Sequence, residues 1–437
     1  MGSLITNDLR IFNADAFANT AMEQPAYLFI GKDTVWDDEE LPDSLVGSDQ
    51  EKINIYKDVL AVKRIPADSI ASVIKRVNWA TGIIYDQYDH RINMIDGRKT
   101  NGDSYNFFVF TDEFNVYKCI SNNNGIASTT KPTSTQVTPF QTTDGYIWKY
   151  MYTVKSTDVF NYMTDAWIPI YTLDYNDGSS QWLVQESAIP GGIHNVVVDS
   201  AGSGYSSSTP PNVVITGDGT GATAVANVNA GTGAITSIVI TDPGIGYTYA
   251  TVSFTATGGG AGASATAIMS PIGGHGSDAR AELGGVSKML KINISGDEGG
   301  DFPLTSFRQA GIIFMPMSTD LGSKLTVDNA SGFNVGDTVT GDTTNANGTI
   351  RVIESNKKVI WVENVTGSFN QSENIGNGTI STSISLVDNN TNIPLSALTG
   401  SSSEIIEDTG KLFYVSNRIA VYRSSSQTES IRFVIGF

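Results

Sequence analysis

Cysteine is almost absent from this 437-residue chain. Cys119 is the only one, which excludes an intrachain disulfide and fits folding in a reducing compartment. Histidine is nearly as rare: His90, His194 and His275 stand far apart, none with a second His or Cys at metal-ligand spacing, so no zinc site is expected. Long hydrophobic runs are missing too, and nothing approaches the roughly 18 apolar residues of a membrane span. The opening residues MGSLITNDLRIF lack a basic segment followed by an apolar run, so no secretory signal is read there. No G-x-S-x-G elbow, Walker loop or strand-linked G-x-G-x-x-G occurs. No catalytic or cofactor-binding residue is assigned, and a non-enzymatic protein is expected. Charged residues make up only 16% of the chain, and their balance is acidic, net −18. Such a surface disfavours phosphate backbones and anionic lipid, so neither nucleic acid nor membrane is an expected partner.

Glycine, by contrast, is abundant at 44 residues, alongside much Ser, Thr and Asn. That composition suits short strands and many turns. The expected fold class is mainly β with a minority of helix: an α+β core, discontinuous in sequence, interrupted by two all-β inserted modules. Apolar spacing predicts a helix over 6–24, stopped by Pro25, a second over 49–63, and a short third beginning at Pro66. From 80 onward the pattern turns to strands: GIIYDQY, SYNFFVFT, NVYKCIS and YIWKYMYTV. Residues 1–192 read as a core α+β region.

Residues 193–270 form the first insert, a glycine-rich tandem repeat. IHNVVVDSAGSGY at 193–205 matches ITSIVITDPGIGY at 235–247, which places Tyr205 and Tyr247 42 residues apart. GDGTGATAVANV at 217–228 likewise parallels GGGAGASATAIM at 258–269. The core continues over 271–320. A second insert over 321–400 is expected to be a small β-barrel, with a faint echo between FNVGDTVTG at 333–341 and FNQSENIGN at 369–377. Between them a hairpin is expected to turn near Asn356 and Lys357. Residues 401–437 supply C-terminal core strands.

Few side chains carry candidate chemistry. Asp297, Glu298 and Asp301 in SGDEGGDF offer hard oxygens for calcium, without EF-hand spacing. His275, Ser277 and Asp278 are adjacent in GGHGSD and are read as a turn, because a triad needs three groups held in line. Gly202, Gly204 and Tyr205, with Gly244, Gly246 and Tyr247, define the structural repeat. There each tyrosine is expected to pack over its own glycine turn. The competing reading makes Tyr205, Tyr247 and Tyr249 a sugar platform. Tyr146, Trp148, Tyr150 and Tyr152 alternate along one strand and are read as core or subunit interface.

Ordered landmarks carry a resemblance to a family. They are AYLFIGKDTVW, VKRIPADSIASVIKRVNW at 62–79, YKCIS at 117–121, DGYIWKYMY at 144–152, FRQ at 307–309 and GKLFYVSNRIAVYRSSSQTESIRFVIGF at 410–437. With these the chain resembles the baseplate wedge protein encoded by gene eight of T-even-like contractile-tailed phages, in a cyanophage-like version with inserted β modules. The resemblance implies a homodimeric structural subunit of the virion tail baseplate, assembled in the host cytoplasm. It also implies contacts with the products of wedge genes six, seven and ten. The alternative is a glycan-binding virion or adhesin module that uses the G-x-G-Y repeats. An enzyme acting on surface polysaccharide would need a carboxylate pair at defined separation.

Overall fold

The computed structural model describes residues 6–24, 26–255, 258–294, 306–314, 322–388, 410–422 and 428–437. Strands take up 43% of the chain and helices 12%, so the protein is mainly β with a minority of helix. The calcium candidates Asp297, Glu298 and Asp301 lie outside the described residues.

Helix α1 spans Asn7–Glu23. Strand β1, Ala26–Gly31, follows, and all six of its residues are buried, which is why it reads as an unbroken apolar run. Helix α2, Asp49–Asp58, starts where the Ser48 hydroxyl accepts the Glu51 N–H at 3.1 Å. It does not continue to 63 as expected. Val59–Arg64 forms β2 instead, with Val62 opposite Phe29 of β1. The helical spacing of its apolar residues is overridden by cross-strand pairing, which β-branched valines favour. The helix expected from Pro66 is likewise a single 3₁₀ turn, Ala67–Ser69, followed by strand β3, Ile70–Lys75. Val73 and Ile74 are both buried there, one on each face, so adjacent apolar residues imitated a helical stripe.

The chain continues through β4 (Phe108–Phe110), β5 (Asn115–Ser121), β6 (Phe140–Gln141), β7 (Ile147–Thr153), α3 (Ser156–Tyr162), β8 (Trp167–Pro169) and α4 (Ser180–Glu186). GIIYDQY is not a strand: Ile83 and Ile84 are exposed and only Tyr85 is buried. Strands β4 to β7 form one sheet in the order β4-β5-β7-β6.

The tandem repeat supplies six strands: β9 (Ile193–Ser203), β10 (Asn212–Gly217), β11 (Thr223–Val228), β12 (Ile235–Asp242), β13 (Ala250–Thr255) and β14 (Ala261–Met269). The two copies do not fold side by side. Each lends its third strand to the other: β14 of the second copy pairs with β9 of the first, and β11 of the first pairs with β12 of the second. Val196 faces Ala267, and the repeat-equivalent Ile238 faces Ala226. The middle strands pair across a local two-fold, Val213 with Phe254 and Ile215 with Val252. Strands β9 and β12 pack alongside each other, as do β13 and β14, so the six strands run around one apolar core.

Helix α5 (Ala279–Leu283), β15 (Ser287–Ile294) and β16 (Ser306–Phe314) come next. A closed barrel follows, made of β17 (Ser323–Val327), β18 (Thr338–Gly341), β19 (Asn347–Ile353), β20 (Val359–Thr366), β21 (Asn374–Gly376) and β22 (Ser381–Asp388). The hairpin between β19 and β20 turns at the expected place, where Lys357 takes a φ of 55°. The barrel too is a duplication. Its ring order is β17-β20-β19-β18-β21-β22, and exchanging β17–β19 for β20–β22 leaves every neighbour unchanged. Phe333 and Phe369 are buried equivalents. The Asp337 and Glu373 carboxylates accept the Asn334 and Asn370 N–H groups at 2.9 and 2.5 Å. Numbered in parallel, the neighbours of the first module follow this same ring. Both modules thus share one topology, hydrogen-bonded all round in the second and open in the first.

Strands β23 (Lys411–Tyr422) and β24 (Glu429–Gly436) close the described chain, in the sheets β2-β1-β16-β23 and β24-β15-β3-β8. Two compact units result. One holds residues 1–16, 70–289 and 433–437, the other 17–69 and 290–432. Residues 1–192, read from sequence as one core region, are therefore divided, because β1 takes its partners from β2 and β16.

In the second unit Gly311 of β16 sits where a Cβ would lie 2.2 Å from the Tyr414 carbonyl and 2.5 Å from the Phe29 ring. Gly311→Ala should destabilise that unit by about 1–3 kcal/mol, the range for overpacking a filled core. Thermal denaturation checks this, and a melt matching the parent would show that β1 and β16 can separate freely.

Candidate functional site

The first unit contains a dense group of buried ionisable side chains that borders a cleft. Strand β5 places Lys118 in the interior because its neighbours on both sides pack in apolar cores. The Lys118 Nζ donates to Glu282 Oε2 at 2.8 Å and lies 3.8 Å from the Tyr88 ring centre. Glu282 belongs to α5, whose start is fixed by Asp278 accepting the Ala281 N–H at 3.0 Å. Its Oε1 accepts the Gly276 N–H at 2.7 Å. Burial pushes the Glu282 carboxyl up, but the Lys118 charge and the neighbouring His275 outweigh it, and its pKa falls to about 2. Lys118 feels burial as a downward push that Glu282 opposes.

Two histidines far apart in sequence meet here. The rings of His194, near the start of β9, and His275 are 5.4 Å apart. Tyr88 stands edge-on to His275 at 5.0 Å. Burial holds His275 down to about 3 and His194 to about 4, with nearby lysines adding to both, so both imidazoles are neutral at pH 7. The His275 Nδ1 is buried without a hydrogen bond, its nearest acid oxygen being Glu282 Oε2 at 3.9 Å. Lys149 of β7 completes the group. Only 3% of it is exposed, and its Nζ donates to the Val137 carbonyl. Burial pushes its ammonium down to about 8, Glu282 partly offsetting this and Lys118 adding to it.

Lys149, His194 and His275 help line a cleft of about 420 Å³. Ile147, Ile189, Val239 and Pro243 give it apolar surface, and Thr138, Ser187 and Thr241 give it hydroxyls. Sequence reasoning missed this site. Its signals were the lysines in YKCIS and DGYIWKYMY, polar residues inside strands that otherwise read as core.

The residues singled out from sequence lie elsewhere or serve the fold. Ser277 donates to the Gly274 carbonyl at 2.9 Å and Asp278 caps α5, so with His275 they form no triad. His90 accepts the Met269 N–H at 3.3 Å. No group of three or more His, Cys, Asp or Glu among the described residues could hold a metal ion. Tyr205 and Tyr247 are buried and present no open ring face, whereas Tyr249 is exposed. Gly202 and Gly204 have φ of 60° and 76°, and Gly244 and Gly246 have 62° and 80°, a left-handed pair that only glycine enters without strain. Tyr146, Trp148, Tyr150 and Tyr152 are all core within this one chain. They do not share one face. A bulge between Tyr150 and Tyr152, where Tyr117 and Val116 pair consecutively, turns Tyr152 into the opposite cluster. Cys119 is buried and its thiol is pushed up by burial. No family model and no curated protein matches the chain.

Proposed function

We propose that this chain is a non-enzymatic structural subunit of the baseplate wedge of a contractile phage tail. It acts as a homodimer in the virion, joins the products of wedge genes six, seven and ten, and is assembled in the host cytoplasm. Its task is mechanical: to hold wedge parts together while the baseplate changes shape. One observation carries the reading. The landmark segments coincide with strands of the non-duplicated part of the chain: AYLFIG is β1, IASVIK is β3, YKCIS ends β5 and YIWKYMY overlaps all but the last residue of β7. The FRQ segment supports it further. Arg308 is buried against Glu39 at 2.7 Å, and the Gln309 amide donates to Asn417 in the C-terminal landmark at 2.8 Å. Both duplicated modules fall between landmarks, in keeping with accessory insertions.

Sedimentation of the full chain at micromolar concentration is expected to give a dimer, and a density map of intact tails is expected to place it in the baseplate. Absence from purified virions would defeat the assignment. A strict monomer, even with wedge partners present, would defeat the dimer.

A further inference from the structure

We propose that the cleft beside β7 is a binding site for a carboxylate that carries an apolar body, with Lys149 as its cationic anchor. This goes beyond the wedge reading and holds or fails independently of it. Five ionisable side chains are gathered here: Lys118, Lys149, Glu282, His194 and His275. Lys118 and Glu282 neutralise each other, and the imidazoles are uncharged at pH 7. Lys149 is left as a buried ammonium with one carbonyl partner for three donors, and no carboxylate of the described residues pairs with it. A buried charge without a counter-charge is costly, and proteins rarely keep one that serves only the fold.

The surroundings specify the missing group. A carboxylate would supply the counter-charge and accept the remaining Lys149 donors. Neutral imidazole can donate a further N–H, and His275 holds a buried ring nitrogen that no protein group uses. The apolar lining, with Ile147, Ile189 and Val239, fits an apolar body rather than a hydrated ion. The volume lies in the range of small-molecule sites. The carboxylate could belong to a free acid or end a protein chain; the chemistry is shared.

Benzoate and benzamide are titrated into the full-length protein, together with two pentapeptides ending in phenylalanine, one with a free carboxylate and one amidated. Binding is read by calorimetry and by the imidazole resonances of labelled histidine. The expected result is saturable binding of benzoate or the free-acid peptide, with each neutral analogue weaker by about tenfold or more. Lys149→Met should abolish that preference while melting at the same or a higher temperature, because it removes a buried charge that has no counter-charge. The preference should also fade between about pH 7 and about pH 10 as Lys149 loses its proton. Over that range His194 and His275 stay neutral, while Glu282 stays ionised beside Lys118 and Tyr88 keeps its proton. Benzoate alone, or the free-acid peptide alone, identifies the source. Equal binding of acid and amide, no binding of either, or a preference that survives in Lys149→Met overturns the proposal.

Discussion

Tyr205→Ala and Tyr247→Ala should each lower the stability of the first unit by about 3–5 kcal/mol, the range for removing a buried aromatic ring. The two losses should be nearly equal. Each ring is pressed between a glycine of its own copy and one of the other. A Cβ on Gly202 would lie 2.8 Å from the Tyr205 ring, and one on Gly260 would lie 2.3 Å from it. The matching positions for Tyr247 are Gly244 at 2.8 Å and Gly219 at 2.5 Å. Each phenol oxygen accepts one N–H at 3.3 Å, from Ala263 and Ala222 respectively. Each backbone N–H in turn donates to an equivalent carbonyl, Gly233 at 3.0 Å and Gly191 at 3.2 Å. The tyrosines therefore lock the exchanged strands together, and removing either opens a cavity at the crossing. Phenylalanine at the same sites should cost only about 1 kcal/mol, the value of one hydrogen bond. Chemical denaturation of the four variants separates these cases. An alanine variant as stable as its parent would mean that the ring's burial contributes little.

Acid should destabilise the same unit well above the ordinary carboxylate range. In the unfolded chain His194 and His275 protonate near 6.5, but in the folded chain only near 4 and 3. Below about pH 6.5 the unfolded state binds more protons, so stability falls as pH drops from there. The slope is up to about 1.4 kcal/mol per pH unit for each histidine. Glu282 adds a later loss: its contribution is present above 4.5 and disappears as pH falls toward about 2. Removing its charge at neutral pH has a larger effect. Glu282→Gln leaves Lys118 buried without a counter-charge and should cost about 3–5 kcal/mol. Denaturant titrations from pH 7.5 to pH 4 check the slope, and a flat profile over that interval would contradict the buried neutral histidines.

The glycine and tyrosine repeats were legible in the sequence because their backbone needs φ values that only glycine supplies, and such positions recur visibly. The strand exchange between copies was not, since a sequence period is the same whether two copies stack or trade strands. The barrel echo looked faint for a related reason. Its equivalent positions conserve a role rather than a residue: Gly336 and Ser372 both hold positive φ, and Asp337 and Glu373 both cap a loop. Strand β2 was hidden because four consecutive apolar residues after a well-capped helix fit a further turn equally well until β1 is seen to need a partner. The cleft was least legible. Its charged groups come from β5, β7, β9, the loop at His275 and α5, and no local spacing links them.

The pairing of β1 with β16 also sets a timetable for synthesis. About 275 residues separate the end of β1 from the start of β16, roughly 14–55 s at ordinary translation speeds. During that interval β1 is a buried-type strand, AYLFIG, with one edge that β16 cannot yet cover. The first duplicated module contains its own pairing partners and can fold while β1 waits. The strand most exposed to chaperones and to wrong pairing is thus among the earliest made, and slowing translation should raise aggregation of the nascent chain through β1 first.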